Sequence, residues 1–125
     1  MSAALALSVQ PGTKTIVLPW PPKELTPNFK RRKHWSAYQP AAKRYRADCY
    51  WLTKAEKARG VILSVTFYPP DRRKRDDDGM IGSFKAGRDG VADALGCDDH
   101  HFRPSYHFAE PRKGGAVEVE IGEMF

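Results

Sequence analysis

The sequence predicts a small α/β (α+β) domain, a mixed sheet of about four strands with two main helices in the order β-α-β-α-β-β. Three observations predict it. Apolar and polar residues alternate over Val61 to Tyr68 and Ala116 to Ile121, the period of half-buried strands. Apolar residues recur at helical spacing from Pro40 to Ala58 and again from Gly79 to Leu95. These segments follow one another in turn, and two strand-like runs close the chain. Of the 125 residues, 41% are hydrophobic and 29% charged, which suits one packed core and excludes a disordered chain.

Residues 1–14 read as a flexible tail and residues 15–125 as a single domain. Ala3 to Val9 is apolar but short, has no basic stretch before it and runs into Pro11-Gly12. It fits neither a signal peptide nor a membrane span, and no membrane partner is expected. The two cysteines, Cys49 and Cys97, match no metal spacing and form no disulfide framework, so a reducing cytoplasm is the expected compartment.

Thr15 to Leu18 reads as the first strand, stopped by Pro19-Trp20-Pro21-Pro22 because proline cannot donate to a ladder. Pro19 to Gln39 has no period and reads as a loop. Pro40 suits the first turn of a helix that should reach about Ala58 and end at Gly60. Ala42, Tyr45, Cys49 and Leu52 form its expected buried face, with Trp51 at a core edge or a subunit interface. In the second strand Val61, Leu63, Val65 and Phe67 are expected to share one face, with the opposite face partly covered.

Gly79 to Leu95 reads as one helix with the apolar stripe Ile81, Phe84, Val91 and Leu95 and a cap at Gly96. Its internal glycines lower its intrinsic helix propensity. Ser105 to Ala109 and Ala116 to Ile121 are the last strands, expected to join as a hairpin through Pro111 to Gly115. Val117, Val119 and Ile121 face inward in that reading.

The chemistry concentrates between Asp71 and Asp99. Arg72, Arg73, Lys74 and Arg75 run directly into Asp76, Asp77 and Asp78. Cations suit a polyanion, whereas clustered carboxylates repel one. A divalent metal held by carboxylates reconciles the two, with phosphate bound by metal and cations together. In an extended segment Asp76 and Asp78 point to one side and Asp77 away. A helix cap accounts for one aspartate comfortably and for three less well. Asp98-Asp99-His100-His101 lacks the spacing of a zinc site, and Asp99 reads better as a remote oxygen ligand. Lys85 falls on the carboxylate side if the helix begins at Asp78, and can neutralise a phosphate there.

The net charge of +6 and pI near 9.5 arise from clusters, including Lys30-Arg31-Arg32-Lys33 beside Asn28 and Phe29. This pattern points to nucleic acid rather than to a uniformly solvated surface.

With these residues in view, the chain resembles the RusA family of Holliday junction resolvases, small endonucleases of phages and prophages. The resemblance rests on Leu18-Pro19-Trp20-Pro21-Pro22, Asn28, Pro70-Asp71-Arg72-Arg73-Lys74-Arg75-Asp76-Asp77-Asp78, Lys85, Asp93-Ala94-Leu95, Asp98-Asp99 and the closing strands. It implies a homodimeric, Mg2+-dependent crossover junction endodeoxyribonuclease of a bacterial cytoplasm, acting on branched DNA. Asp76, Asp78 and Asp99 match its acidic ligands and Lys85 its catalytic lysine. Arg72 to Arg75, Asn28 and Lys30 to Lys33 are the expected DNA contacts. Two departures stand out: Gly79 where the family usually has Asn, and a lysine three residues later than in the shortest family spacing. The alternatives are a junction- or DNA-binding protein without catalysis, and a different metal-dependent phosphate-transfer enzyme.

Overall fold

A computed structural model describes residues 13–96 and 103–123. Most of the expected tail, together with Cys97, Asp98, Asp99, His100 and His101, lies outside the described residues.

Alternation places the sheet. Val117, Val119 and Ile121 of the strand β4 (Ala116–Glu123) are fully buried, as expected. A strand so apolar on one face takes the centre. It runs antiparallel to β1 (Thr13–Leu18) on one side and to β2 (Gly60–Tyr68) on the other. The short β3 (Ser105–Phe108) is the outer edge, parallel to β2, so the order is β1-β4-β2-β3. The strand β1 starts two residues before the expected Thr15, taking Thr13 and Lys14 out of the expected tail.

The expected hairpin between the last two strands does not form. A parallel β2/β3 pair needs a crossover, and the helices after β2 supply it. The chain then passes the end of β2, with the Arg112 N–H donating to the Pro69 carbonyl at 2.8 Å, and inserts β4 between β1 and β2. Ser105 and His107, both exposed, give β3 the composition of an edge.

One strand expectation fails at a single residue. The β2/β4 register slips between Ile62 and Ser64, which is a bulge. The bulge turns Leu63 outward, 40% exposed over Gly122, and puts Ile62 into the core instead. Val61, Val65 and Phe67 are buried as the alternation requires.

The segment from Pro19 to Gln39 is not a plain loop. Thr26 caps a helix α1 (Pro27–Arg32), its hydroxyl accepting from the Phe29 N–H at 3.4 Å, with Pro27 in the first turn. Thr26-Pro27 is the one sequence signal of this helix start, since six residues are too few to show a hydrophobic period. The next helix, α2 (Gln39–Ala55), starts where Pro40 indicates but ends three residues before the expected Ala58. The chain reverses at Lys57, in the left-handed region with φ 55°. Lys14 donates to the Glu56 carbonyl at 2.6 Å, so a neighbouring strand closes the helix end.

On α2 the buried residues are Tyr45, Cys49 and Thr53; Leu52 is 40% exposed. Thr53 takes the inner position because its hydroxyl donates to the Cys49 carbonyl at 2.7 Å, which pairs its own polar atom inside the core. Burial pushes the Cys49 thiol up to about 12, the behaviour of a core thiol. Trp51 is 67% exposed.

The expected second helix is two helices. α3 (Asp77–Ser83) tightens at Phe84, whose N–H donates to both Met80 and Ile81 carbonyls, and α4 (Lys85–Leu95) restarts immediately. Phe84 is 1% exposed, with edge-to-face contacts to Tyr45 and Phe67. Gly96 ends α4 in the left-handed conformation, as expected. The glycines of α4 serve packing: a Cβ on Gly90 would stand 2.2 Å from the Arg46 carbonyl oxygen, and one on Gly87 2.6 Å from the Tyr45 ring. They let α4 cross α2 almost backbone to backbone, and the Arg46–Asp93 ion pair at 2.7 Å flanks the crossing.

The result is a mixed α+β fold with its helices packed on one face of the sheet. On the other face Thr15, Val17, Leu63 and Glu120 are exposed. Among the described residues no helix is long and apolar enough to cross a membrane.

Candidate functional site

The end of β2 delivers Pro69-Pro70 and then the charged run. Asp71 organises the loop that carries this run. Its carboxylate accepts from the Arg73 N–H at 2.9 Å and from the Arg75 guanidinium at 2.9 Å. Arg75 donates as well to the Asp71 and Arg73 carbonyls at 3.2 and 3.1 Å. The Arg75 hydrogen bond, followed by that from Arg73, holds the Asp71 carboxyl below its ordinary pKa. Arg75 is therefore the clip of its own loop, 20% exposed at the side chain, whereas the Arg72 and Arg73 side chains are 84% and 78% exposed. The loop rests on Trp20, whose ring lies 5.8 Å from the Arg75 guanidinium and meets Phe67 edge-on at 6.2 Å. Gly115, with φ 72°, makes room for Trp20: a Cβ there would stand 2.9 Å from it.

This clip sets the register of the three aspartates. Asp76 is the residue before α3, in extended conformation, and Asp77 and Asp78 occupy the first turn. Asp76 stands where a capping side chain would, yet makes no capping hydrogen bond. Among the described residues the side-chain carboxylates of Asp76 and Asp78 have no hydrogen-bond or ion-pair partner. The capping bond is absent, although Asp77 and Asp78 stand in the first turn, where negative charge suits the helix dipole; the carboxylates of Asp76 and Asp78 remain open to a ligand.

Both line a cleft of about 660 Å3 between the Trp20–Arg31 segment and the Arg73–Ser83 segment, and Asp77 does not. Asn28, Arg31, Arg73, Lys74 and Arg75 line it too. Residues far apart in sequence meet here because α1 packs on α3, with Pro27 3.2 Å from where a Cβ of Gly82 would be. Asn28 is oriented by Arg31, which donates to its side-chain oxygen. Every other charged residue of the lining, Lys23 included, is a cation. Two hard oxygen ligands in such a setting fit Mg2+, which takes one or two carboxylates and completes its shell with water and substrate phosphate. Among the described residues no group of three His, Cys, Asp or Glu side chains forms a closed metal cage.

The remaining expected residues lie elsewhere. Lys85 is beyond the break at Phe84, in a separate cleft of about 220 Å3, with Asp89 at 3.8 Å. Lys30, Arg32 and Lys33 lie outside the lining of the larger cleft, Lys30 with its ammonium 5.5 Å from the Tyr38 ring centroid. Arg72 also lies outside it and faces Glu110 at 3.6 Å. Asp99 falls outside the described residues. Sequence reasoning missed Lys23 and Trp20 as cleft residues. The Pro-Trp-Pro-Pro run carried the only signal, since a large aromatic fixed between prolines marks a rigid wall rather than a solvated loop.

No family model matches the sequence. An uncharacterized protein of Xylella fastidiosa (strain Temecula1) is 39% identical over 108 residues, covering 80% of this chain and 69% of that protein.

Proposed function

The chain belongs to one family with this Xylella protein, and we propose that it is a Mg2+-dependent, structure-selective DNA endonuclease of the RusA type. One observation carries the reading: two carboxylates without a protein partner among the described residues sit in a cleft whose other charges are all positive. That is the pairing expected of a hydrolase acting on phosphodiesters, because each half is unfavourable without metal and phosphate.

In this reading Asp76 and Asp78 hold the metal, joined by Asp99. Bound there, Mg2+ supplies a Lewis acid and a more acidic water. Arg73, Lys74 and Arg31 hold the flanking phosphates, giving affinity without sequence choice. Asn28, oriented by Arg31, lines the same cleft as the carboxylates. Arg75 fixes the loop so that the two carboxylates keep their spacing, a role its own hydrogen bonds support. Lys85 is the catalytic lysine that the resemblance implies, although it lines a different cleft from the two carboxylates. The substrate is a four-way junction, and a homodimer with two-fold symmetry would match its two equivalent strands and resolve it by paired nicks. A bacterial cytoplasm, reached by phage or prophage, is the setting this implies.

Incubation with a labelled four-way junction and a linear duplex, with and without Mg2+, tests the reading. Expected is cutting of the junction alone, and only with the metal, into nicked linear products. Binding without cutting would favour the non-catalytic alternative. Hydrolysis of a nucleotide or phosphate ester, with DNA left intact, would favour the other enzyme class.

A further inference from the structure

Trp35 is a large apolar ring that the fold holds in place and leaves 54% exposed. It opens a short 3-10 turn, Trp35–Ala37, between α1 and α2. The turn is tied down at each step. The Ala37 N–H donates to the His34 carbonyl at 2.9 Å, and the Tyr38 N–H to the Trp35 carbonyl at 3.1 Å. The Ser36 N–H donates to His34 Nδ1 at 3.3 Å, and the His34 ring lies 5.3 Å from the indole at a tilt of 40°. An ordered turn thus presents the indole to solvent.

Its neighbours say what the ring would meet. The last turn of α1 is Lys30, Arg31 and Arg32, and Lys33 follows. The same helix contributes Asn28 and Arg31 to the carboxylate cleft. The ring therefore follows in the chain, two residues on, the four consecutive cations Lys30 to Lys33 that end this helix. Cations of this kind hold phosphates of any nucleic acid. A flat, half-exposed aromatic adds something they cannot: it stacks on a base, provided a face of that base is open. Bases inside a linear duplex are covered on both faces. Bases in a single strand, or at the centre of a branched molecule, are not.

We propose that Trp35 is a base-stacking residue that selects DNA with exposed bases, a strand end or a branch point, over linear duplex. The inference rests on the nucleic-acid reading of the cleft and deepens it by naming the feature of DNA that the protein distinguishes.

Binding without metal, in EDTA, isolates this step from cutting. The probes are a single strand, a four-way junction and a linear duplex of equal length, each fluorescein-labelled. Trp35→Ala should weaken the single strand and the junction about tenfold and the duplex less than about twofold. Trp35→Phe, which keeps a ring, should retain most of the affinity. A 2-aminopurine at the branch point should change its fluorescence on binding the wild-type protein and Trp35→Phe, and not on binding Trp35→Ala. Equal losses on all three probes, or no loss on any, would overturn the stacking role while leaving the nuclease reading intact. A wild-type protein that binds none of the probes at low salt would overturn both.

Discussion

Asp71 and Asp76 are the same side chain five positions apart, and the fold uses them in opposite ways. Asp71 is saturated by Arg73 and Arg75, while Asp76 stands at a helix start without a capping bond. The depressed pKa of Asp71 fixes the sign of a pH effect. A carboxylate whose folded pKa lies below its unfolded value stabilises the protein above the unfolded value and ceases to as pH falls through the folded one. Melting curves of the wild type and Asp71→Asn should therefore differ at neutral pH and converge as pH drops below the ordinary carboxylate value of 3.8. A constant gap would mean that the clip is not electrostatic. Asp76 and Asp78 line the cleft without Asp77, as the two-residue spacing suggested, but the extended segment behind that expectation is absent: Asp77 and Asp78 lie in the first turn of α3. The separate duty of Arg75 was not legible in the sequence, because nothing in Arg-Arg-Lys-Arg distinguishes the member that folds back on its own loop.

Elements were legible where one period dominated, and less so where contacts between elements decided. The core strands and the start of α2 follow from periodicity and proline placement. The bulge at Leu63, the break at Phe84 and the central position of β4 do not, since each is settled by a neighbour in space. The glycines of α3 and α4 show the difference most sharply. Sequence counts them all as weak helix formers, but the structure separates them. Gly90→Ala should cost about 1–3 kcal/mol, because its Cβ would strike the α2 backbone at Arg46. Gly79→Ala meets only Asp76, at an ordinary 3.7 Å, and should stabilise α3 by about 0.5–1 kcal/mol. Urea unfolding of both variants measures the contrast. Equal effects would mean that the close crossing of α2 and α4 is not what fixes Gly90.

Across the whole molecule, five of the cations behind the net charge of +6, Lys23, Arg31, Arg73, Lys74 and Arg75, border the carboxylate cleft. Affinity for DNA should fall steeply with salt, and replacing both Arg73 and Lys74 by alanine should reduce the log–log slope by about 2. An unchanged slope would move the DNA surface away from the cleft, with Lys30 to Lys33 as the next candidate. The overall α+β class was legible because alternating periods decide it. The cleft as a place was not, because it depends on α1, a helix without an apolar stripe, folding Asn28 and Arg31 against the aspartates.

The central claim is that the open carboxylates of Asp76 and Asp78 carry out catalysis, not folding and not DNA affinity. One measurement separates these directly: junction binding and junction cutting by Asp76→Asn and Asp78→Asn, side by side with the wild type in Mg2+. Each substitution keeps the size of the side chain and removes one negative charge from the cleft that would hold the phosphates. Binding should stay equal or become tighter, and cutting should fall by about a hundredfold or more as the metal loses a ligand. Cutting at the wild-type rate by either variant would contradict the claim.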